Sequence, residues 1–130
     1  MGDYTITNLK EIEDSAVKFG FSPDLESRFA RGSLETERLG LSYQRLAPNV
    51  RAPFAHRHKE QEEVYVVVGG SGRVKLDDDV QEVKQWDAVR VAPGTVRNFE
   101  AGPDGIELLA FGGGAGGTQD AETLPDWWTD

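Results

Sequence analysis

The chain has 130 residues, a net charge of -9 and 38% hydrophobic residues, which fits one domain with a core of its own. The acidic balance argues against a nucleic-acid partner, which requires clustered Lys and Arg, and against an anionic membrane surface. The sequence has no cysteine, and this excludes disulfides, thiolate metal ligands and a thiol nucleophile. Because the N-terminus shows no signal-peptide pattern and no apolar run approaches roughly 18 residues, we expect a cytoplasmic protein.

Residues 1–35 are predicted to form a lead-in to the domain that contains one short helix. The sequence Ser-Pro-Asp at residues 22–24 places proline at the first helical position. Leu25 and Phe29 would then share one face of a helix of about two turns that ends near Gly32.

Residues 36–111 show the pattern of a β protein, with short alternating or apolar runs separated by turn residues about every 8–12 residues. The glycine-rich residues 69–72 and the sequence Gly-Pro-Asp-Gly at 102–105 are predicted to be turns. Asp77-Asp78-Asp79 is interpreted as the solvated turn of a hairpin, because it lacks the spaced acceptors of a calcium loop. Strands or strand-like alternating runs are predicted at residues 39–44, 52–58, 63–68, 73–76, 80–83, 88–91, 96–100 and 106–111.

Residues 112–130 are predicted to be a glycine linker followed by an acidic tail. The pattern G-x-G-x-x-G that begins at Gly112 does not indicate a nucleotide site, because no helix pattern follows it. Trp127 and Trp128 are expected to pack back onto the barrel or onto a second subunit, since two solvated indoles would expose a large apolar area.

The two histidines of the chain, His56 and His58, are separated by one residue. In a strand, side chains at i and i+2 point to the same face, so both imidazoles would converge on one spot. Glu63 opens the next apolar run with inward parity, and we prefer it for that reason over Glu60 and Glu62. Two imidazoles and one carboxylate would form a transition-metal site with open positions. The alternative is a pair of hydrogen-bonded, inert histidines.

This stretch resembles the first motif of the cupins, a family of small β-barrels. That motif has the form G-x5-H-x-H-x3-4-E-x6-G, and the chain matches it from His56 to Gly70 but lacks the leading glycine. The second cupin motif, G-x5-P-x-G-x2-H-x3-N, is matched at Asp87, the apolar strand after it and Gly94, but Trp86 replaces its first glycine and Ala92 its proline. Arg97 stands where the histidine of that motif, the fourth metal ligand, is expected.

The resemblance implies an all-β fold: a cupin double-stranded β-helix or jelly-roll barrel over residues 36–111, with a short N-terminal helix and an extended C-terminal tail. It also implies a pocket for a small molecule, and the formation of a homodimer. The cofactor would be either a divalent transition metal (Fe, Mn, Ni or Zn) on His56, His58 and Glu63, or none. Cupins include dioxygenases, isomerases, decarboxylases and pure binding domains, so the resemblance does not identify a reaction.

Arg97 decides between the two cofactor outcomes, because a guanidinium offers only donors and cannot ligate a metal. It could face a bound anionic substrate beside a metal-bearing triad, form a bidentate salt bridge with Glu63 in the metal's place, or lie in solvent. We favour the salt bridge, which would weaken or abolish the metal site. Tyr65 and Phe54 share the parity of the proposed ligands and are assigned with Arg97 to the substrate-binding wall, although both could equally be barrel filler.

Three functions remain open on the sequence. The first is a binding protein for a small molecule, anionic ligands included, with little or no metal. The second is a metal-dependent dioxygenase or isomerase that acts on a small organic acid through the His/His/Glu triad. The third is a structural or interaction barrel.

Overall fold

The computed structural model describes residues 2–113, 120–125 and 127–130. Within these residues the chain forms eight strands of one antiparallel sheet, which confirms the predicted all-β class. A 3-10 helix, Leu9–Glu11, and two four-residue helices, α1 (Ser15–Lys18) and α2 (Arg31–Leu34), lie near the N-terminus. The strands are β1 Leu25–Phe29, β2 Leu39–Leu46, β3 Ala55–His58, β4 Glu62–Leu76, β5 Asp79–Lys84, β6 Ala88–Val91, β7 Arg97–Gly113 and β8 Ala121–Leu124.

Two long strands, β4 and β7, organise the sheet. They pair antiparallel from Glu62 opposite Gly113 to Leu76 opposite Arg97. β2 and then β1 extend the sheet beyond β7, while β5 and β6 pair with successive parts of β4. β3 joins β7 through His56 opposite Arg97, and β8 pairs with the other edge of β3. The apolar core contains Leu46, Tyr65, Val67, Val74, Val83, Val91, Phe99, Ala101, Ile106, Leu108 and Ala110.

The prediction that residues 69–72 and 102–105 end strands is wrong, because both segments continue a long strand through a bend. The register pairs Gly70 with Ile106 and Gly72 with Ala101, so residues 102–105 bulge out opposite a single residue of β4. A Cβ at Gly70 would collide with the backbone of β7, and Gly70 has a positive φ of 69°. The glycines therefore allow two backbones to approach at a bend, instead of reversing the chain.

The predicted helix from Ser22 to near Gly32 is also wrong, since Leu25–Phe29 forms strand β1. Leu25, Ser27 and Phe29 line a cavity, whereas Glu26 and Arg28 alternate with them. The period of the segment is therefore two, and pairing with β2 determines its conformation. Short helices do occur near the N-terminus, but they lie on either side of this strand.

The predicted hairpin is confirmed, with Leu76 opposite Asp79 and an exposed turn between β4 and β5. The two tryptophans of the tail pack on the same chain. The guanidinium of Arg73 lies 5.0 Å from the Trp128 ring, and the Lys75 ammonium donates a 2.7 Å hydrogen bond to the Trp127 carbonyl. Gly114 and Gly117 of the glycine pattern lie outside the described residues. No helix among the residues described is long and apolar enough to cross a membrane.

Candidate metal centre

The three predicted metal ligands come together at one end of the sheet. His56 and His58 lie on β3, and Glu63 lies at the start of β4, which follows β3 in the chain after residues 59–61 but is not paired with it in the described sheet. One ligand atom from each residue lies within 4.8 Å of the others. Glu62 is exposed and pairs with Arg90, as the parity argument predicts for this neighbour of Glu63.

The Oε1 atom of Glu63 is the centre of this cluster. It lies 3.4 Å from Nε2 of His56 and 3.2 Å from Nε2 of His58, and the Tyr65 hydroxyl donates a 2.7 Å hydrogen bond to it. Burial of Glu63 raises the pKa of its carboxyl, but the hydrogen bonds from both histidines and Tyr65 more than offset burial and hold the pKa well below its usual range. Glu63 is therefore a carboxylate across the ordinary pH range, as a metal ligand must be.

His58 is held from both sides. Its Nδ1 lies 2.6 Å from Oδ1 of Asp120, while its Nε2 faces Glu63. Burial opposes protonation of the ring, but the hydrogen bonds with Glu63 and Asp120 outweigh burial and raise the pKa of His58. With Nδ1–H donated to Asp120, the neutral ring would present its Nε2 lone pair toward Glu63.

Arg97 lies behind the cluster and is only 1% exposed, so the predicted alternative of a solvent-facing Arg97 is wrong. Its Nη2 atom is 3.9 Å from Oε1 of Glu63. None of its three guanidinium nitrogens has a hydrogen-bond partner among the residues that the structure describes. Arg97 thus makes a single long ionic contact with Glu63, and the bidentate salt bridge that we favoured is absent from the described contacts.

A cavity of about 500 Å³ opens in front of the cluster. His56, His58 and Glu63 contribute to its wall, and so does Phe54, with 43% of its surface exposed. Tyr65 and Arg97 do not belong to the wall; Tyr65 is buried behind Glu63, and burial raises the pKa of its hydroxyl well above the usual range. The assignment of Phe54, Tyr65 and Arg97 to substrate binding stays a prediction. Of these three residues, Phe54 alone lines the described cavity.

Sequence reasoning missed two charged residues of this region. Asp120 comes from the C-terminal tail, and no local pattern relates it to the histidines, because only the pairing of β8 with β3 brings it there. Arg31 lies on α2 and lines the cavity, in a segment where the sequence pattern suggested a longer helix. The rest of the wall is uncharged: Leu25, Ser27, Phe29, Gly32, Gly40, Leu41, Ser42, Gln44, Pro53, Gln61, Ala110, Gly112, Ala121 and Thr123.

Comparisons with known proteins agree with this architecture. The structure is similar to a cupin protein from Bacteroides fragilis, with a TM-score of 0.72, 24% identity and coverage of 100% of this chain and 99% of that one. A Streptomyces PAC13 variant with uridine has a TM-score of 0.73 and 16% identity, covering 96% of this chain and 93% of that one. A variant of oxalate decarboxylase from Bacillus subtilis has a TM-score of 0.71 and 20% identity, covering 92% of this chain and 32% of that one.

These identities are low, so the three structures support the fold alone. A comparison with curated proteins found no significant match. The family described as "Cupin domain" matches residues 42–110, which are 69 of the 130 residues and include both histidines, Glu63 and Arg97. This chain therefore belongs to the cupin domain family.

Proposed function

We propose that this protein binds a divalent transition metal ion through His56, His58 and Glu63, and a small molecule in the cavity in front of it. The observation that carries the proposal is the convergence of three donor atoms within 4.8 Å at the wall of a 500 Å³ cavity. Cavities of this volume suit small organic ligands.

The donor set fits such an ion. Imidazole nitrogens and a carboxylate oxygen are preferred by iron, manganese, nickel and zinc, and three ligands leave positions for water or substrate. A bound ion of this kind supplies Lewis acidity, which polarises a ligand oxygen. Tyr65 holds the Glu63 carboxylate in place by its hydrogen bond.

The charges around the cavity favour an anionic small molecule. Arg31 is the one Lys or Arg side chain on the described cavity wall, and its Nη1 atom has no hydrogen-bond partner among the described residues. Arg97 adds a buried positive charge behind Glu63 and offsets the charge of that carboxylate. A metal ion would therefore leave the cavity with a net positive charge, which a carboxylate or phosphate group on the ligand would compensate.

A metal-free binding pocket is the second candidate, and the position of Arg97 favours it. The guanidinium lies 3.9 Å from the carboxylate that would ligate the ion, so it repels a dication there. At an effective dielectric of about 20, a unit charge and a dication about 6 Å apart would repel by roughly 5 kcal/mol. In this alternative the histidines and Glu63 are polar lining, and Arg31 binds the anion.

A barrel that serves only in protein interaction is the third candidate. The exposed side chains of Leu39 and Phe111, on neighbouring strands, offer an apolar surface for the homodimer that we predicted. A homodimer is compatible with all three candidates, so the oligomeric state alone does not separate them.

Calorimetric titration of the purified protein with Zn²⁺, Mn²⁺, Ni²⁺ and Fe²⁺ separates the first two candidates. We expect about one equivalent of at least one ion per chain. In His56→Ala the metal affinity should fall by more than about 100-fold, because losing a ligand costs more than the roughly 10–100-fold lost when a residue that only hydrogen-bonds a ligand is removed. Arg57→Ala is the matched control, because Arg57 lies between the two histidines but pairs with Glu122. Full metal binding by His56→Ala would contradict the triad, and no binding by the unmodified protein would favour the metal-free pocket.

A further inference from the structure

Among the described tail residues, Asp120 is the one whose side chain forms a hydrogen bond or ion pair with a proposed metal ligand. Its Oδ1 atom is 2.6 Å from Nδ1 of His58, and its side chain is only 8% exposed. Its Oδ2 atom accepts hydrogen bonds from the backbone N–H groups of Glu60 (2.7 Å) and Gln61 (3.0 Å). Both carboxylate oxygens are therefore used, and the side chain cannot rotate without breaking two backbone hydrogen bonds.

We infer that Asp120 is a positioning residue of the metal centre, through which the docked C-terminal tail sets the metal affinity. The inference rests on the metal site proposed above. A carboxylate that accepts Nδ1–H fixes the tautomer and orientation of an imidazole whose other nitrogen binds a metal. Here it would direct the Nε2 lone pair of His58 toward Glu63, and a bond of 2.6 Å to an ionised acceptor is strong enough to do so.

The tail residues that follow Asp120 are held on the barrel by strand pairing and by ion pairs. Strand β8, which follows Asp120 directly, pairs with β3 from His58 opposite Ala121 to Ala55 opposite Leu124. Farther along, the carboxylate of Asp130 forms ion pairs with two arginines of the barrel. The strand that carries both histidines is therefore held along one edge by the tail.

This arrangement couples metal binding to docking of the tail. If the docked tail raises the metal affinity by a given factor, the bound metal must favour the docked tail by the same factor. The tail also forms part of the cavity wall through Ala121 and Thr123, so a small molecule in the cavity would contact it as well.

Asp120→Asn tests the positioning role. An asparagine must either turn its NH₂ group toward the two backbone N–H donors or present that group to Nδ1 of His58. The first arrangement loses both backbone hydrogen bonds, and the second places the ring proton on Nε2, where the metal would bind. We expect the dissociation constant for Zn²⁺ to rise about 10–100-fold.

Glu122→Gln is the matched control. Glu122 lies on the same tail strand and pairs with Arg57, but it makes no contact with His58 in the structure. We expect its Zn²⁺ affinity to match that of the unmodified protein. If both variants lose affinity equally, the effect is general loosening of the tail and the positioning role is wrong.

Two further readouts separate positioning from a purely structural role. In the Zn²⁺-loaded protein, the His58 Nδ1–H proton should appear far downfield in the NMR spectrum, and Asp120→Asn should move it upfield while Glu122→Gln leaves it in place. Zn²⁺ should also slow hydrogen exchange at residues 121–124 of the unmodified protein, a measurement that does not require the variant to fold.

The outcomes distinguish this inference from the function on which it rests. An unmodified protein that binds no metal would overturn both. Zn²⁺ binding with equal affinity in Asp120→Asn, or Zn²⁺ binding without slower exchange at residues 121–124, would overturn the inference and leave the metal site standing.

Discussion

Two glutamates with little exposure, Glu26 and Glu63, lie on strands of the same sheet but have very different neighbours. Glu26 accepts hydrogen bonds from Lys10 (2.8 Å), Arg28 (2.6 Å) and Arg45 (3.0 Å). For Glu63 the donor within 3.0 Å is the hydroxyl of Tyr65, while the imidazoles stand 3.2 and 3.4 Å away and Arg97 stands at 3.9 Å.

The difference separates a carboxylate that stabilises the fold from one that is available for binding. Three cations saturate Glu26, and they join the N-terminal segment to β1 and β2. Around Glu63, two imidazole nitrogens and a carboxylate oxygen lie close together, and the nearby cation makes no hydrogen bond to any described residue. Unsatisfied buried polar groups of this kind concentrate at functional sites, since stability alone does not explain them.

Replacing Glu63 should have the largest effect. Glu63→Gln removes a ligand and leaves the buried Arg97 without a compensating charge, so we expect loss of metal binding and destabilisation by about 3–5 kcal/mol. Glu62→Gln is the neighbouring control, because Glu62 is exposed and its pair with Arg90 is worth less than about 1 kcal/mol. Metal titration and urea unfolding measure both effects, and equal behaviour of the two variants would contradict the assignment of Glu63.

Replacing Glu26 should affect stability without affecting metal binding. Its pKa lies near 2, compared with 4.5 for an ordinary glutamate; burial opposes the change, and the hydrogen bonds from Lys10, Arg28 and Arg45 outweigh it. This difference corresponds to about 3 kcal/mol of stabilisation, present above pH 4.5 and lost as the pH falls toward 2.

We therefore expect Glu26→Gln to unfold at lower urea than the unmodified protein at pH 7, with the gap closing as the pH approaches 2. Urea unfolding of both proteins at pH 7, 4, 3 and 2 measures this. A gap that is independent of pH would show that the charge of Glu26 does not contribute to stability.

Replacing Arg97 should have a smaller effect and the opposite sign. Arg97→His removes a buried positive charge beside Glu63 and restores the residue that the second cupin motif has at this position, so we expect metal affinity to increase about tenfold, or about 1.4 kcal/mol. Arg97→Met removes the charge without adding a ligand, and therefore separates relief of repulsion from ligation. Unchanged metal affinity in Arg97→His would contradict the explanation that Arg97 weakens the metal site.

The parts of the site that sequence reasoning found are those that depend on local periodicity. His56, His58 and Glu63 follow from alternation along two strands that are consecutive in the chain, and the first cupin motif gives their spacing. The strand pairing that brings Asp120 to His58 joins residues 62 apart, and its position depends on where the tail docks. No local pattern contains that information.

The errors in the fold have a similar origin. The segment from Leu25 to Phe29 is compatible with a helical face and with a strand, and pairing with β2 makes it a strand. Gly70 and Gly72 suggested a turn, because sequence alone does not reveal that another backbone passes close to them. Two of the three arrangements considered for Arg97 from the sequence place it beside the site. The sequence does not predict its 3.9 Å distance from Glu63, because that distance depends on the packing around both side chains.

Elemental analysis of the purified protein, isolated without added metal, tests the central claim most directly. The account predicts close to one equivalent of iron, manganese, nickel or zinc per chain, and none above trace level in His56→Ala prepared in parallel. Metal-free protein that takes up none of these four ions on incubation would contradict it.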